Sequence, residues 1–193
     1  MISKVLIAGD SFAADWTVKY PDQSGWPNLL ANQYHVDNVA QAGCSEYRIY
    51  QQLVALNLED YDHVIVSHTS PYRIYTEYNP VRKDDPLHHH CDLLYSDVKN
   101  LAKDYEEYNG VSTYFEQFFS LEYAEFCYTL IREQIDKLLC RINAIQIAHM
   151  PVPGILDVNF SNEFKNNPGL VNHYSKVGNN NVYRILLDKL QYT

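Results

Sequence analysis

Apolar positions along the chain follow two alternating patterns. KVLIA at residues 4–8, HVIVS at 63–67 and AIQIAH at 144–149 are short, largely unbroken apolar runs. Continuous β-branched runs of this length read as strands covered on both faces. HVDNV at residues 35–39 reads as a further short strand. Between them the period lengthens. WPNLLA at residues 26–31 predicts a helix with Pro27 in its first turn. Residues 45–56 carry Tyr47, Tyr50, Leu53 and Val54 at helical spacing. From Phe115 through Phe119, Tyr123, Cys127, Ile131 and Ile135 to Leu138, apolar residues recur at steps of three and four. That stripe predicts a long amphipathic helix broken near Ser120. Val182, Ile185, Leu186 and Leu190 stripe a closing helix, whereas residues 71–112, with Pro71, Pro80 and Pro86, show no clear period.

Short strands alternating with helices predict a parallel sheet with helices on both faces. The 193 residues are enough for one such domain over 1–193. Ligands bind such sheets beyond the carboxyl ends of the strands. Three polar turns then share one rim: Gly9-Asp10-Ser11, the segment after Val39, and Ser67-His68-Thr69-Ser70. On its own turn, Ser11 or Asp10 reads most simply as a helix cap. As a nucleophile Ser11 would need a histidine to take its proton. His173, in VNHYSKVG just before the closing helix, is the candidate. The chain carries no G-x-S-x-G elbow, no G-x-G-x-x-G and no Walker sequence.

GDSF at 9–12, SGWPNLLA at 24–31, NVAQAGCS at 38–45 and NHYSKVG at 172–178 keep one order along the chain. Together they resemble the separated blocks of the SGNH (GDSL) hydrolase family. The resemblance implies a three-layer α/β/α flavodoxin-like parallel sheet; residues 73–140, outside the matching blocks, are expected to form a helical insertion between the third and fourth strands. It also implies a serine esterase or acyl-hydrolase acting on a small or carbohydrate-linked ester, without a cofactor or metal. Ser11 matches the nucleophile and His173 the base. Ser11 and Gly43 match oxyanion-hole donors, and Ser70 stands where the family's asparagine donates. The family's acid three residues before the histidine is Leu170 here, with Asn172 directly before His173. A Ser-His dyad oriented by a backbone carbonyl is therefore expected; Asp157 is a candidate acid without the spacing. Asp10, His68, Thr69 and Arg73 flank these positions as candidate substrate contacts, Arg73 as a clamp for an acidic group or as a surface ion pair. An acyltransferase using the same residues, and a binding module that has lost efficient catalysis, are the competing readings.

Composition narrows the partners. Lys plus Arg is 15 against 24 Asp plus Glu, a formal charge of -9. Without a concentrated basic surface, neither nucleic acid nor an anionic membrane is an expected partner. The N-terminal apolar run is too short for a signal peptide, and Cys44, Cys91, Cys127 and Cys140 form no C-x-x-C pair. Reduced thiols and a cytoplasmic location are expected. His88, His89, His90 and Cys91 are consecutive, which suits a solvated loop better than a zinc tetrahedron. Nine of the 17 tyrosines lie between Tyr72 and Tyr128. They are expected to fill the seam under the insertion, to rim a sugar-ester site or to form a homodimer contact. The stretch 73–112 is expected to act as a lid over Ser11.

Overall fold

The computed structural model describes residues 3–79, 81–89, 91–169 and 173–192. The first half of the chain forms β1 (Lys4–Gly9), α1 (Trp26–Leu30), β2 (His35–Asn38), α2 (Glu46–Val54) and β3 (His63–His68). Then come a two-residue antiparallel pair, β4 (Arg73–Ile74) with β5 (Leu93–Leu94), and the helices α3 (Tyr95–Leu101), α4 (Asn109–Gln117) and α5 (Leu121–Leu139). The chain closes through β6 (Ala144–Ala148), β7 (Val158–Asn159), α6 (Ser161–Asn166) and α7 (Lys176–Tyr192).

The main sheet is parallel throughout, in the order β2-β1-β3-β6-β7. Counted along the chain that is the flavodoxin-like doubly wound order. Side-chain alternation sorts each strand between two layers. Val5, Ile7, Ile65 and Ile147 point to α1 and α7, where Trp26, Leu30, Val182 and Leu186 are fully buried. Leu6, Ala8, Val64 and Val66 point to α2 and α5, where Ile49, Leu53, Ile135 and Leu139 cover them. The continuous apolar runs are thus explained: both faces of β1 and β3 are roofed by helices. The fold is a three-layer α/β/α sandwich.

The long helical stripe is two helices. Ser120 caps α5, its Oγ accepting the Tyr123 N–H at 3.2 Å. Within the span 73–140 two packing units can be told apart. Residues 73–120 build a small core of their own around Val98, Tyr108 and Phe115. Helix α5 instead packs on α2 and roofs the sheet through Ile135 and Leu139. Its amino-terminal half leaves Leu121, Tyr123 and Phe126 exposed. Among the described residues no helix is long and apolar enough to cross a membrane, and the four cysteines are free thiols.

One buried carboxylate ties the insertion to the sandwich. Asp92 lies just before β5, and its Oδ2 accepts the Ser45 N–H at 2.7 Å. Its Oδ1 accepts the Thr76 N–H at 3.0 Å and Arg48 Nη2 at 2.9 Å. The Asp92 side chain has no solvent exposure, and Arg48 has 12%. Removing one partner of such a pair strands the other charge. Asp92→Ala is therefore expected to lower the unfolding free energy by about 3 kcal/mol, measured by urea denaturation. A loss below about 1 kcal/mol, the range of an exposed pair, would show that this cluster does not hold the insertion.

Candidate active site

The rim of the sheet is built by a close approach between two strands. Gly9, the last residue of β1, has φ 154°, and a Cβ there would lie 2.6 Å from Ser67 Cβ and 2.7 Å from Ser67 O. Only glycine fits. The chain then turns sharply around Asp10. The Asp10 carbonyl accepts the Ala13 and Ala14 N–H groups, both at 3.0 Å. Its Oδ1 accepts the Phe12 N–H at 3.1 Å and the Ser67 hydroxyl at 3.1 Å. Asp10 is 2% exposed, and burial pushes its carboxyl up to about 7 against these hydrogen bonds and the charge of Arg73. It braces the turn from inside, so the expectation that it contacts substrate is corrected. Ser11 sits half-buried at the tip, and its carbonyl accepts the Trp16 indole N–H at 2.7 Å.

Ser11, Gly43, Arg73 and His173 line one cavity of about 440 Å³. Its far wall is the insertion, including Asn79, His88, Cys91 and Asp97. Gly43 has φ 78°, and a Cβ on it would lie 2.6 Å from Cys91 Cβ. Its carbonyl accepts the Asp92 N–H at 2.9 Å and Arg73 Nη1 at 3.1 Å. Among the described residues, neither the Ser11 N–H nor the Gly43 N–H meets a protein acceptor. Unengaged backbone N–H groups can receive an oxyanion where they face it. The His173 ring packs against Trp16, with centroids 4.0 Å apart, and against Phe12 at 5.1 Å. Leu170, Val171 and Asn172 fall outside the described residues, so the question of an acid preceding His173 stays with the sequence.

A second histidine near this point escaped sequence reading. His149 follows β6, is fully buried, and its ring lies 4.7 Å from Phe12. Its Nδ1 and the Tyr174 hydroxyl are 2.7 Å apart. Burial pulls its pKa down to about 3, with the charge of His173 acting in the same direction. It is a neutral packing partner beneath His173. Its apolar surroundings come from elements far apart in sequence, which no local pattern reveals.

Of the third turn, Ser67 meets the first at Gly9 and Asp10, and the residues after it turn away. His68 is fully buried, with Nδ1 on Glu46 Oε1 at 2.5 Å and Nε2 on Gln146 Oε1 at 3.0 Å. Thr69 is 1% exposed, and its N–H donates to Glu46 Oε2. Ser70 Oγ accepts the Tyr72 N–H and lines a different cavity, with Glu46, Tyr47 and Tyr123. The expected substrate contacts of His68 and Thr69 and the oxyanion role of Ser70 are therefore corrected. Glu46 draws this turn inward, because its buried carboxylate needs hydrogen-bond donors. Asp157 accepts the Gln146 N–H on the sheet edge, away from Ser11. Within the His88–Cys91 run, His88 and Cys91 are packed and His89 is exposed. His88 meets Trp16 and Asp85, and Cys91 is buried against Gly43. His90 lies outside the described residues.

No family profile matches the chain, and no curated protein sequence matches it. Among solved structures it is similar to an extracellular lipase from Streptomyces rimosus, at 14% identity and a TM-score of 0.38. That match covers 81% of this chain and 65% of the lipase, so the chain spans just under two thirds of that enzyme's length. It is also similar to a protein assigned to the G-D-S-L lipolytic family from Desulfitobacterium hafniense DCB-2, at 17% identity and a TM-score of 0.37. There the match covers 97% of this chain and 99% of the other.

The Asp10 carboxyl titrates at about 7 in the folded chain against 3.8 ordinarily. The native state holds that proton more tightly than the unfolded chain. Its contribution to stability is full below about pH 4 and is lost as pH rises through about 7. The amide introduced by Asp10→Asn does not titrate. The stability of the wild type relative to Asp10→Asn should therefore fall between about pH 4 and pH 7 and level off above it. Urea midpoints across that range check this; a constant difference would place the Asp10 carboxyl in contact with water.

Proposed function

We propose that the chain is a serine ester hydrolase of the SGNH type, with Ser11 as nucleophile and His173 as base. The observation that carries this reading is the shared cavity. Ser11, His173 and Gly43 come from three distant segments and line one space, with the unengaged N–H groups of Ser11 and Gly43 beside it. In this reading Ser11 Oγ attacks the ester carbonyl while His173 takes its proton. The tetrahedral oxyanion accepts the Ser11 and Gly43 N–H groups. His173 then protonates the departing alkoxide, and water resolves the acyl-enzyme by the same path in reverse. Trp16 and Phe12 pack against the imidazole ring and help to fix its plane.

The substrate class follows from the far wall. Arg73, Asn79 and Asp97 give the cavity polar and charged groups, which suits a small or sugar-linked ester better than a long alkyl chain. Residues 79–108 supply much of that wall and act as a specificity cap over Ser11. A second reading, a binding module with residual chemistry, draws on one observation. Ser70 faces another cavity, so the oxyanion has two donors and lacks a third. Missing one donor costs about 2.7–4 kcal/mol of transition-state stabilisation. Transfer of the acyl group to an alcohol in place of water uses the same residues.

Hydrolysis of p-nitrophenyl acetate tests the assignment. Ser11→Ala should lower kcat by at least about a thousandfold, and His173→Ala by about a hundredfold or more. Ser70→Ala should leave kcat unchanged. Equal turnover by wild type and Ser11→Ala would assign the residual hydrolysis to another group and leave the binding module as the reading.

A further inference from the structure

A second cavity, of about 280 Å³, lies where α5 faces β4 and the start of α2. Neither Ser11 nor His173 borders it; Arg73 borders both spaces. Its walls are rings: Tyr47, Tyr75, Phe118, Tyr123 and Tyr128 among them. Its two charged side chains differ. Glu46 is engaged on every side, by His68, by the Thr69 N–H and by Arg132 at 3.9 Å. Arg73 is not: Nη1 reaches Gly43 O, and Asp97 stands 3.9 Å away. The buried Arg73 Nε meets no hydrogen-bond partner among the described residues. Two other cations lie nearby: Arg48 lies over the Tyr75 ring and is paired with Asp92, and Arg132 donates to Tyr128, Gln146 and the Ile155 carbonyl.

The Nε itself has no exposed surface, but Arg73 borders the cavity and its ion pair with Asp97 is long at 3.9 Å, so a carboxylate oxygen reaching the guanidinium from the cavity adds a charge-assisted hydrogen bond. Aromatic walls favour a flat apolar body, since stacked and edge-on rings add attraction beyond area alone. We propose that this cavity binds an aromatic carboxylate, its carboxylate on Arg73 and its ring among the tyrosines and phenylalanines. The site is independent of the ester-hydrolase reading, because it needs no chemistry at Ser11. It also touches that cleft: Arg73 holds the Gly43 carbonyl, so a ligand drawing on Arg73 alters the support of the Gly43 turn.

Isothermal titration of the whole chain with trans-cinnamate, cinnamyl alcohol and octanoate tests the proposal, best in Ser11→Ala so that turnover plays no part. Cinnamate should bind at one site. The alcohol should bind at least about tenfold more weakly, as loss of a charge-assisted hydrogen bond requires. Octanoate should also bind more weakly, having no ring. Ala124→Trp, which fills the cavity from α5, should abolish binding, and Arg73→Gln should weaken it at least about tenfold. Thermal melts establish that each variant is folded. If Ala124→Trp does not fold, Arg73→Gln and the alcohol comparison decide. Equal affinity for acid and alcohol, equal affinity for octanoate, unchanged binding in folded variants, or no binding at all would each overturn the proposal. Loss of p-nitrophenyl acetate turnover would bear only on Ser11.

Discussion

The carboxyl rim of this molecule depends on how closely β1 approaches β3 at Gly9. With no Cβ between them, Ser67 lies against the Gly9 backbone and its hydroxyl reaches the Asp10 carboxyl. That contact, with the Phe12 N–H, holds Asp10 inside the turn, and the Asp10 carbonyl ties down Ala13 and Ala14. Ser11 is left at the tip with its N–H unengaged. Phe12, pointing back into the core, becomes a surface on which both His149 and His173 pack. One glycine therefore places the backbone of the proposed nucleophile and, through Phe12, the imidazole proposed to serve it.

The second constraint acts on Gly43. Cys91 closes on it from the insertion, the Asp92 N–H and Arg73 both hold its carbonyl, and Asp92 also fastens Ser45 and Arg48 at the start of α2. The segment 73–97 is thereby joined to the Gly43 turn at several points within a few residues. Contacts of this kind fix the cleft wall and the Gly43 backbone together. The segment also connects the cleft to the aromatic cavity, because Arg73 stands in the wall between them.

Much of the sandwich is legible in the sequence because it rests on local periodicity. The runs at 4–8, 63–67 and 144–149 are central parallel strands, and the expected break at Ser120 is the cap of α5. What is illegible has a common cause. Asp92, His149 and Glu46 act through partners that mostly lie 20 or more positions away, and no spacing marks them. Glu46 in particular turns His68 and Thr69 inward, which removes two expected substrate contacts. The two-residue strands β4, β5 and β7 are too short to carry a period. The end of the insertion is hidden because one apolar stripe runs through two helices with different roles.

Catalysis by this chain requires Ser11 to be a nucleophile activated within its cavity. Incubation of the folded chain with a fluorophosphonate, followed by peptide mass spectrometry, tests this directly. The expected result is one phosphonate adduct per chain, on Ser11, formed much more slowly in His173→Ala. An adduct on another residue, or none on a folded chain, would contradict it.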